Sequence, residues 1–188
     1  MRALQLRRKT ISEEQRAAQA RELAALCRDL GVVFLINDRW RLALEVGADG
    51  VHLGRDDADP AEVRKEAGPD LLIGVSCYND LDRARRLLEA EPDYIAFGAV
   101  FTSPTKPQAV HAPLSLLAQA HELAVGHSLP RPAVAAIGGI TPDNAVLVAQ
   151  AGADAAAVIT GLFEAPDITA AARACAAPFL PAAARPQA

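Results

Sequence analysis

The residues of this sequence best suited to chemistry fall at the ends of short apolar runs, and most of them suit oxyanions. The first run closes on Gln5, Arg7 and Lys9. Alternation puts the three on one side of an extended segment, where an amide and two cations suit an anionic, oxygen-rich ligand. A solvated basic strand end has the same composition. The second run closes on Asn37-Asp38, a pair that also reads as a helix cap. The third continues into His52-Leu53-Gly54-Arg55-Asp56-Asp57, whose adjacent carboxylates raise the local electrostatic cost unless a cation is present. Asp38 and Asp57, from neighbouring strand ends, are oxygen ligands of the kind that suit Mg²⁺, which keeps waters and substrate phosphate as its other ligands. His52 lies mid-strand and reads as a satisfied core histidine rather than a catalytic one.

The later runs continue the theme. Ser76 closes the fourth, where its hydroxyl suits either a ligand or the backbone. The fifth runs into Ser103-Pro104-Thr105-Lys106, two hydroxyls and a cation on one loop, which is diphosphate chemistry in type. The sixth ends in Gly138-Gly139, where backbone amides can approach a phosphate closely. The seventh ends in Ile159-Thr160-Gly161, where barrels often place a second wall of the same phosphate cup. Tyr78 fits either ligand contact or packing, and Phe101 fits packing. No nucleophile with an adjacent general base is found.

The elements that must position these residues follow from periodicity. Strands are expected over Ala3–Arg7, Val32–Asn37, Gly50–Gly54, Leu71–Ser76, Tyr94–Val100, Ala133–Ile137 and Ala155–Thr160. Helices are expected over Glu13–Leu30, Arg39–Val46, Ala61–Ala67, Leu81–Ala90, Leu114–Val125, Pro142–Ala151 and Ile168–Ala176. Ser12 with Gln15, and Asp59 with Glu62 around Pro60, fit capping boxes, and Thr141 precedes Pro142 as a further helix start. Gly31, Gly47, Gly68 and Gly152 fit helix ends. Gly47-Ala48-Asp49 and Gly152-Ala153-Asp154 echo each other, each leading from helix to strand, and Pro92-Asp93 plays the same part. Near-continuous apolar strands alternating with helices predict a parallel α/β sheet covered on both faces. In such folds the reactive residues lie at the C-terminal strand ends.

Composition narrows the class. The 188 residues, 51% hydrophobic and 22% charged, suit one globular domain over residues 1–177, with a Pro/Ala-rich tail over 178–188. A net charge of −4 argues against general nucleic-acid binding. No apolar run is long enough for a bilayer, and the N-terminus lacks a signal-peptide pattern, so a cytoplasmic location is expected. Cys27, Cys77 and Cys175 form neither a metal motif nor a disulfide framework, and Cys27 and Cys175 read as small core residues.

Taken in order, these segments resemble the thiamine phosphate synthase family. The resemblance rests on Gln5-Leu6-Arg7-Arg8-Lys9, Ile36-Asn37-Asp38-Arg39, Gly47 to Gly54, Gly74-Val75-Ser76, Ser103-Pro104-Thr105-Lys106 and Ala136-Ile137-Gly138-Gly139-Ile140. It implies a TIM (β/α)-type barrel that joins an aminopyrimidine diphosphate to a thiazole phosphate, giving thiamine phosphate and pyrophosphate. It also implies Mg²⁺ on Asp38 and Asp57. The pyrimidine diphosphate would lie on Gln5, Arg7, Lys9, Asn37, Ser76 and Lys106, with Arg7, Lys9, Ser76 and Lys106 catalytic. The thiazole phosphate would lie on Ser103, Thr105, Gly139, Ile159 and Thr160. The expected partners are these two small molecules, without nucleic acid or membrane; homo-oligomerisation is left open.

Two departures from the family pattern fall near the site. Arg55-Asp56-Asp57 stands where Gln-Glu-Asp is usual, and the loop reads Thr102-Ser103-Pro104-Thr105-Lys106 where Pro-Thr-x-Thr-Lys is usual. Both keep the functional groups. A third is the start: seven strand–helix units are countable where a closed barrel has eight, so the first unit is expected to be missing. The alternatives are a thiazole tautomerase on the same fold, and an inactive ligand-binding fragment.

Overall fold

Apolar runs and helical segments alternate as the pattern requires. In the computed structural model, which describes residues 1–102, 110–127 and 130–180, the order is β1 (Ala3–Leu6), α1 (Glu13–Leu30), β2 (Val33–Asn37), α2 (Trp40–Val46), β3 (Gly50–Leu53), α3 (Pro60–Ala67) and β4 (Leu72–Tyr78). Then follow α4 (Leu81–Leu88), β5 (Tyr94–Gly98), α5 (Ser115–Val125), β6 (Ala133–Ile137), α6 (Ala145–Gln150), β7 (Ala155–Ala157), α7 (Thr160–Phe163) and α8 (Ile168–Ala176). A 3₁₀ turn over Ala177–Phe179 continues α8, so ordered structure runs past the expected start of the tail at Pro178. Residues 181–188 of that tail lie outside the described residues.

Contacts divide these elements into two compact units. The first spans Met1–Ser76 with Glu89–Asp93. Its strands pair in parallel in sequence order, with Leu4 opposite Phe34, Ile36 opposite Val51, and Val51 opposite Ile73. Phe34, Ile36, Val51, Leu53, Ile73 and Val75 are essentially inaccessible, as expected of strands covered on both faces. Helix α1 packs through Ala20, Ala24 and Cys27, small residues at helical spacing that let the helix lie close. It begins with the expected capping box, Ser12 Oγ accepting from the Gln15 amide at 3.1 Å and Gln15 Oε1 from the Ser12 amide at 3.2 Å. Asp59 caps α3 by accepting from the amides of Ala61 and Glu62. Gly31, Gly47, Gly68 and Gly152 all have positive φ, as helix-closing glycines should.

The second unit takes Cys77–Leu88 and the chain from Tyr94 onward. Here β5, β6 and β7 pair in parallel, Ile95 opposite Val134 and Ala136 opposite Ala156. Leu117, Ala120 and Ala124 of α5 are buried. Cys27, Cys77 and Cys175 are all free and buried.

Several boundaries differ from the sequence reading. The seventh strand stops at Ala157 instead of Thr160, and Thr160 opens a short helix, with the amides of Leu162 and Phe163 bonded to the Ile159 carbonyl at 3.0 and 2.9 Å. Three alanines offer that strand little packing, and the local turn bonds win. The helix expected from Pro142 begins at Ala145, because Asn144 Oδ1 accepts from the Thr141 amide at 2.8 Å and holds a turn ahead of it.

The aspartates of the repeated links all do one thing. Asp49, Asp93 and Asp154 accept through Oδ2 from the amides of Phe34, Ile73 and Val134, at 2.6, 2.7 and 2.8 Å. Their own amides donate to the carbonyls of the same three residues, at 2.9, 2.8 and 2.8 Å. Each thus clamps the start of one strand to the link that leads into the next.

Candidate active site

Parallel pairing places the C-terminal ends of β1 to β4 side by side within the first unit, and with them the expected polar residues. Gln5, Asn37 and Ser76 are partly buried, whereas Arg7 and Lys9 project beyond β1 and are exposed. The turn after β2 is fixed by backbone: the Asp38 amide donates to the His52 carbonyl at 2.9 Å, extending the ladder to β3. Asp38 takes a φ of 66°, uncommon for any residue but glycine. This strained turn holds its carboxylate where Lys9 Nζ reaches Oδ2 at 3.5 Å.

Asp57 arrives from the other side. Its Oδ2 accepts from the Gly54 amide at 2.7 Å, folding the loop after β3 back on itself. The two carboxyls then meet: burial, followed by the hydrogen bond and charge of Asp57, pushes Asp38 above the ordinary carboxylate value, against the opposing pull of Lys9. Like-charge crowding of this kind is characteristic of functional sites. An opening of about 610 Å³ lies beside the pair, lined by Glu13, Arg39, Trp40 and Asp56 as well as Asp38 and Asp57. Among the described residues no group of three or more metal-binding side chains converges. The donor set is therefore two hard oxygens with open space, which fits Mg²⁺ better than zinc.

His52 Nε2 lies 2.8 Å from Ser76 Oγ. Burial drives the histidine pKa down to about 4, with Asp57 opposing and Arg7 adding to the shift, so the ring is neutral at pH 7. This matches a core histidine, and its polar edge bonds a residue of the expected ligand set. Arg7 and Asp57 both act on His52, which places β1, β3 and β4 chemistry in one neighbourhood.

In the second unit the paired glycines turn as expected, with φ of 105° at Gly138 and 62° at Gly139. A side chain on Gly139 would meet the Thr102 carbonyl at 2.5 Å, so the backbone itself forms the surface there. A side chain on Gly161 would meet the Ile140 carbonyl at 2.4 Å, which puts the Ile159-Thr160-Gly161 turn against the residues that follow Gly139. The two expected walls of a phosphate cup are thus neighbours. Tyr78 lies in this unit with the Arg83 guanidinium 5.8 Å from its ring centroid. Ser103, Thr105 and Lys106 lie outside the described residues.

One residue escaped the sequence reading. Arg16, in the first turn of α1, is only 7% exposed. Its signal was present in the sequence: a cation at a helix N-terminus opposes the helix dipole and needs a specific partner there.

Comparisons with known proteins identify the family. The family model of thiamine monophosphate synthase matches residues 1–162. The thiamine-phosphate synthase of Bordetella pertussis is 71% identical over 95% of this chain and 82% of its own length. That of Chromobacterium violaceum is 52% identical over 95% of this chain and 83% of its own. A thiamine phosphate pyrophosphorylase structure from Pyrococcus furiosus superposes with a TM-score of 0.81 at 32% identity, covering 93% of this chain and 80% of that one. That likeness bears out the expected α/β-barrel fold class.

Proposed function

The chain belongs to the thiamine monophosphate synthase family, and from that premise we propose that it joins 4-amino-2-methyl-5-hydroxymethylpyrimidine diphosphate to 4-methyl-5-(2-phosphoethyl)thiazole, releasing pyrophosphate. It is a transferase of thiamine biosynthesis. The observation that carries the reading is the meeting of Asp38 and Asp57 beside Lys9 at adjoining strand ends.

Departure of pyrophosphate leaves a resonance-stabilised pyrimidine methyl cation, which the thiazole nitrogen captures. The step asks the protein for cations against the departing oxygens and for an acceptor held in line, with no covalent intermediate on the chain. Arg7, Lys9 and Lys106 supply the cations, with Gln5, Asn37 and Ser76 giving neutral hydrogen bonds that orient the diphosphate. Asp38 and Asp57 would hold Mg²⁺, which when bound neutralises charge on the same oxygens. The neutral ring of His52 keeps the Ser76 hydroxyl in a fixed orientation. Ser103, Thr105, the Gly139 turn and the Ile159-Thr160 turn take the thiazole phosphate through hydroxyls and backbone amides. No helix among the described residues is long and apolar enough to cross a membrane.

The test is pyrophosphate release from the two substrates, with and without Mg²⁺. Mg²⁺-dependent release with formation of thiamine phosphate is expected. No release, together with isomerisation of a thiazole carboxylate, would reject the synthase in favour of a tautomerase.

A further inference from the structure

Arg16 is the one charged side chain among the described residues that is buried. Burying a guanidinium is costly, and an apolar residue of similar size often serves stability as well. Its placement at the N-terminal end of α1 adds an unfavourable dipole. What the charge secures is a set of directional contacts. Nε donates to the Arg8 carbonyl at 3.0 Å and Nη2 to the Ile11 carbonyl at 3.3 Å. Nη1 meets Glu13 Oε2 at 2.6 Å as an ion pair, outside hydrogen-bond geometry.

Those acceptors belong to the connection that leaves β1, the stretch carrying Arg7 and Lys9. Glu13 in turn accepts from Arg39 Nη2 at 2.7 Å, and Arg39 follows Asp38 in the chain. A small cavity of about 160 Å³ is lined by Arg16 together with Lys9, Asn37 and Asp38. One guanidinium therefore ties the backbone of the basic strand end directly, and the acidic turn through Glu13.

We propose that Arg16 is a positioning residue for the diphosphate site, setting Arg7 and Lys9 against Asp38 by fixing the 8–11 connection and, through Glu13, Arg39. The inference rests on the reading of those residues as the pyrophosphate end of the site. Displacing bound groups by a fraction of an ångström is enough to weaken a site built on several charges. Lysine keeps the charge but not the fork, so it restores part of the effect.

The test is calorimetric binding of inorganic pyrophosphate with Mg²⁺ to the full chain and to R16M, R16K and E13Q, each checked by circular dichroism and thermal unfolding. R131M, which breaks an ion pair with Asp154 far along the chain, serves as the stability control. R16M is expected to bind about tenfold more weakly, R16K in between, and E13Q about threefold more weakly. In turnover, the KM for the pyrimidine diphosphate should rise while that for the thiazole phosphate holds. R131M should lower the thermal midpoint and leave pyrophosphate binding unchanged. Folded R16M that binds like the parent overturns the proposal. Should R16M fail to fold, R16K and E13Q decide: unchanged binding in both overturns it. A parent that binds pyrophosphate but makes no thiamine phosphate rejects the synthase and leaves the Arg16 comparison intact; a parent that makes thiamine phosphate but binds no pyrophosphate overturns the Arg16 proposal alone.

Discussion

Asp154 and Val134 hold each other twice, the Asp154 carboxylate accepting from the Val134 amide at 2.8 Å and its own amide donating to the Val134 carbonyl at 2.8 Å. Arg131 adds a two-pronged contact to the same carboxylate, at 2.7 and 2.8 Å.

D154A removes all the side-chain bonds and leaves the Val134 amide without its carboxylate, which should cost about 1–3 kcal/mol by denaturant unfolding. D154N keeps an acceptor and should lose less. Burial favours the neutral acid, but the Arg131 bond, the Val134 amide and the surrounding positive charge prevail and hold the pKa below its usual value. The folded state then binds fewer protons than the unfolded one. This contribution is present above an unfolded pKa of about 4 and is lost as pH falls through the lower folded value. A D154N variant whose stability shows the parent's acid slope would contradict this.

D38N and D57N should separate function from stability. Each removes a hard oxygen charge from the site, and Mg²⁺-dependent turnover should fall by about 100-fold or more. Each also relieves like-charge crowding, so the thermal midpoint measured without divalent ions should hold or rise. A drop in that midpoint would mean the acids are structural.

The His52 ring should titrate near 4, followed through its NMR resonances. An unfolded histidine titrates near about 6.5, so the unfolded state binds the proton first on acidification. Stability is full above the unfolded value and is lost as pH falls from there towards 4. H52A should remove that part of the slope and lower turnover by about tenfold through Ser76. A ring that titrates near neutrality would remove the argument.

Gly139 and Gly31 share a φ of 62° but differ in surroundings. At Gly31 a side chain meets nothing within 4 Å, so alanine there should cost about 1 kcal/mol of backbone strain alone. At Gly139 it meets the Thr102 carbonyl and the Phe101 side chain, and alanine should cost about 2–4 kcal/mol and raise the KM for the thiazole phosphate. Equal costs in paired denaturation curves would show that the close approach is unimportant.

How much of this was legible beforehand varied with the source of the signal. The strands from Val33 to Asn37 and Ala133 to Ile137, and the helix from Glu13 to Leu30, were readable because apolar period, caps and closing glycines agreed on the same boundaries. Asp38 and Asp57 were readable as a pair because parallel strands bring adjoining ends together. The contact of His52 with Ser76 was not, since it depends on which strands neighbour each other and how far a ring reaches. Arg16 was overlooked because an arginine reads as surface by residue type, although it stands one turn before Ala20 on the buried face of the helix, and its partners are carbonyls that a sequence does not display. The end of β7 was missed because three alanines specify neither strand nor helix strongly.

The aspartate clamps at Phe34–Asp49, Ile73–Asp93 and Val134–Asp154 work as reversible staples, each closing a short span of chain. They mark three spans within which a cut should cost more than a comparable cut outside them. New termini between residues 50 and 72, or between 94 and 133, leave every stapled span covalently whole, whereas a break inside one turns a short loop closure into the docking of separate ends. Circular permutants and protease nicks should sort along that division, independently of how close they fall to Asp38 and Asp57.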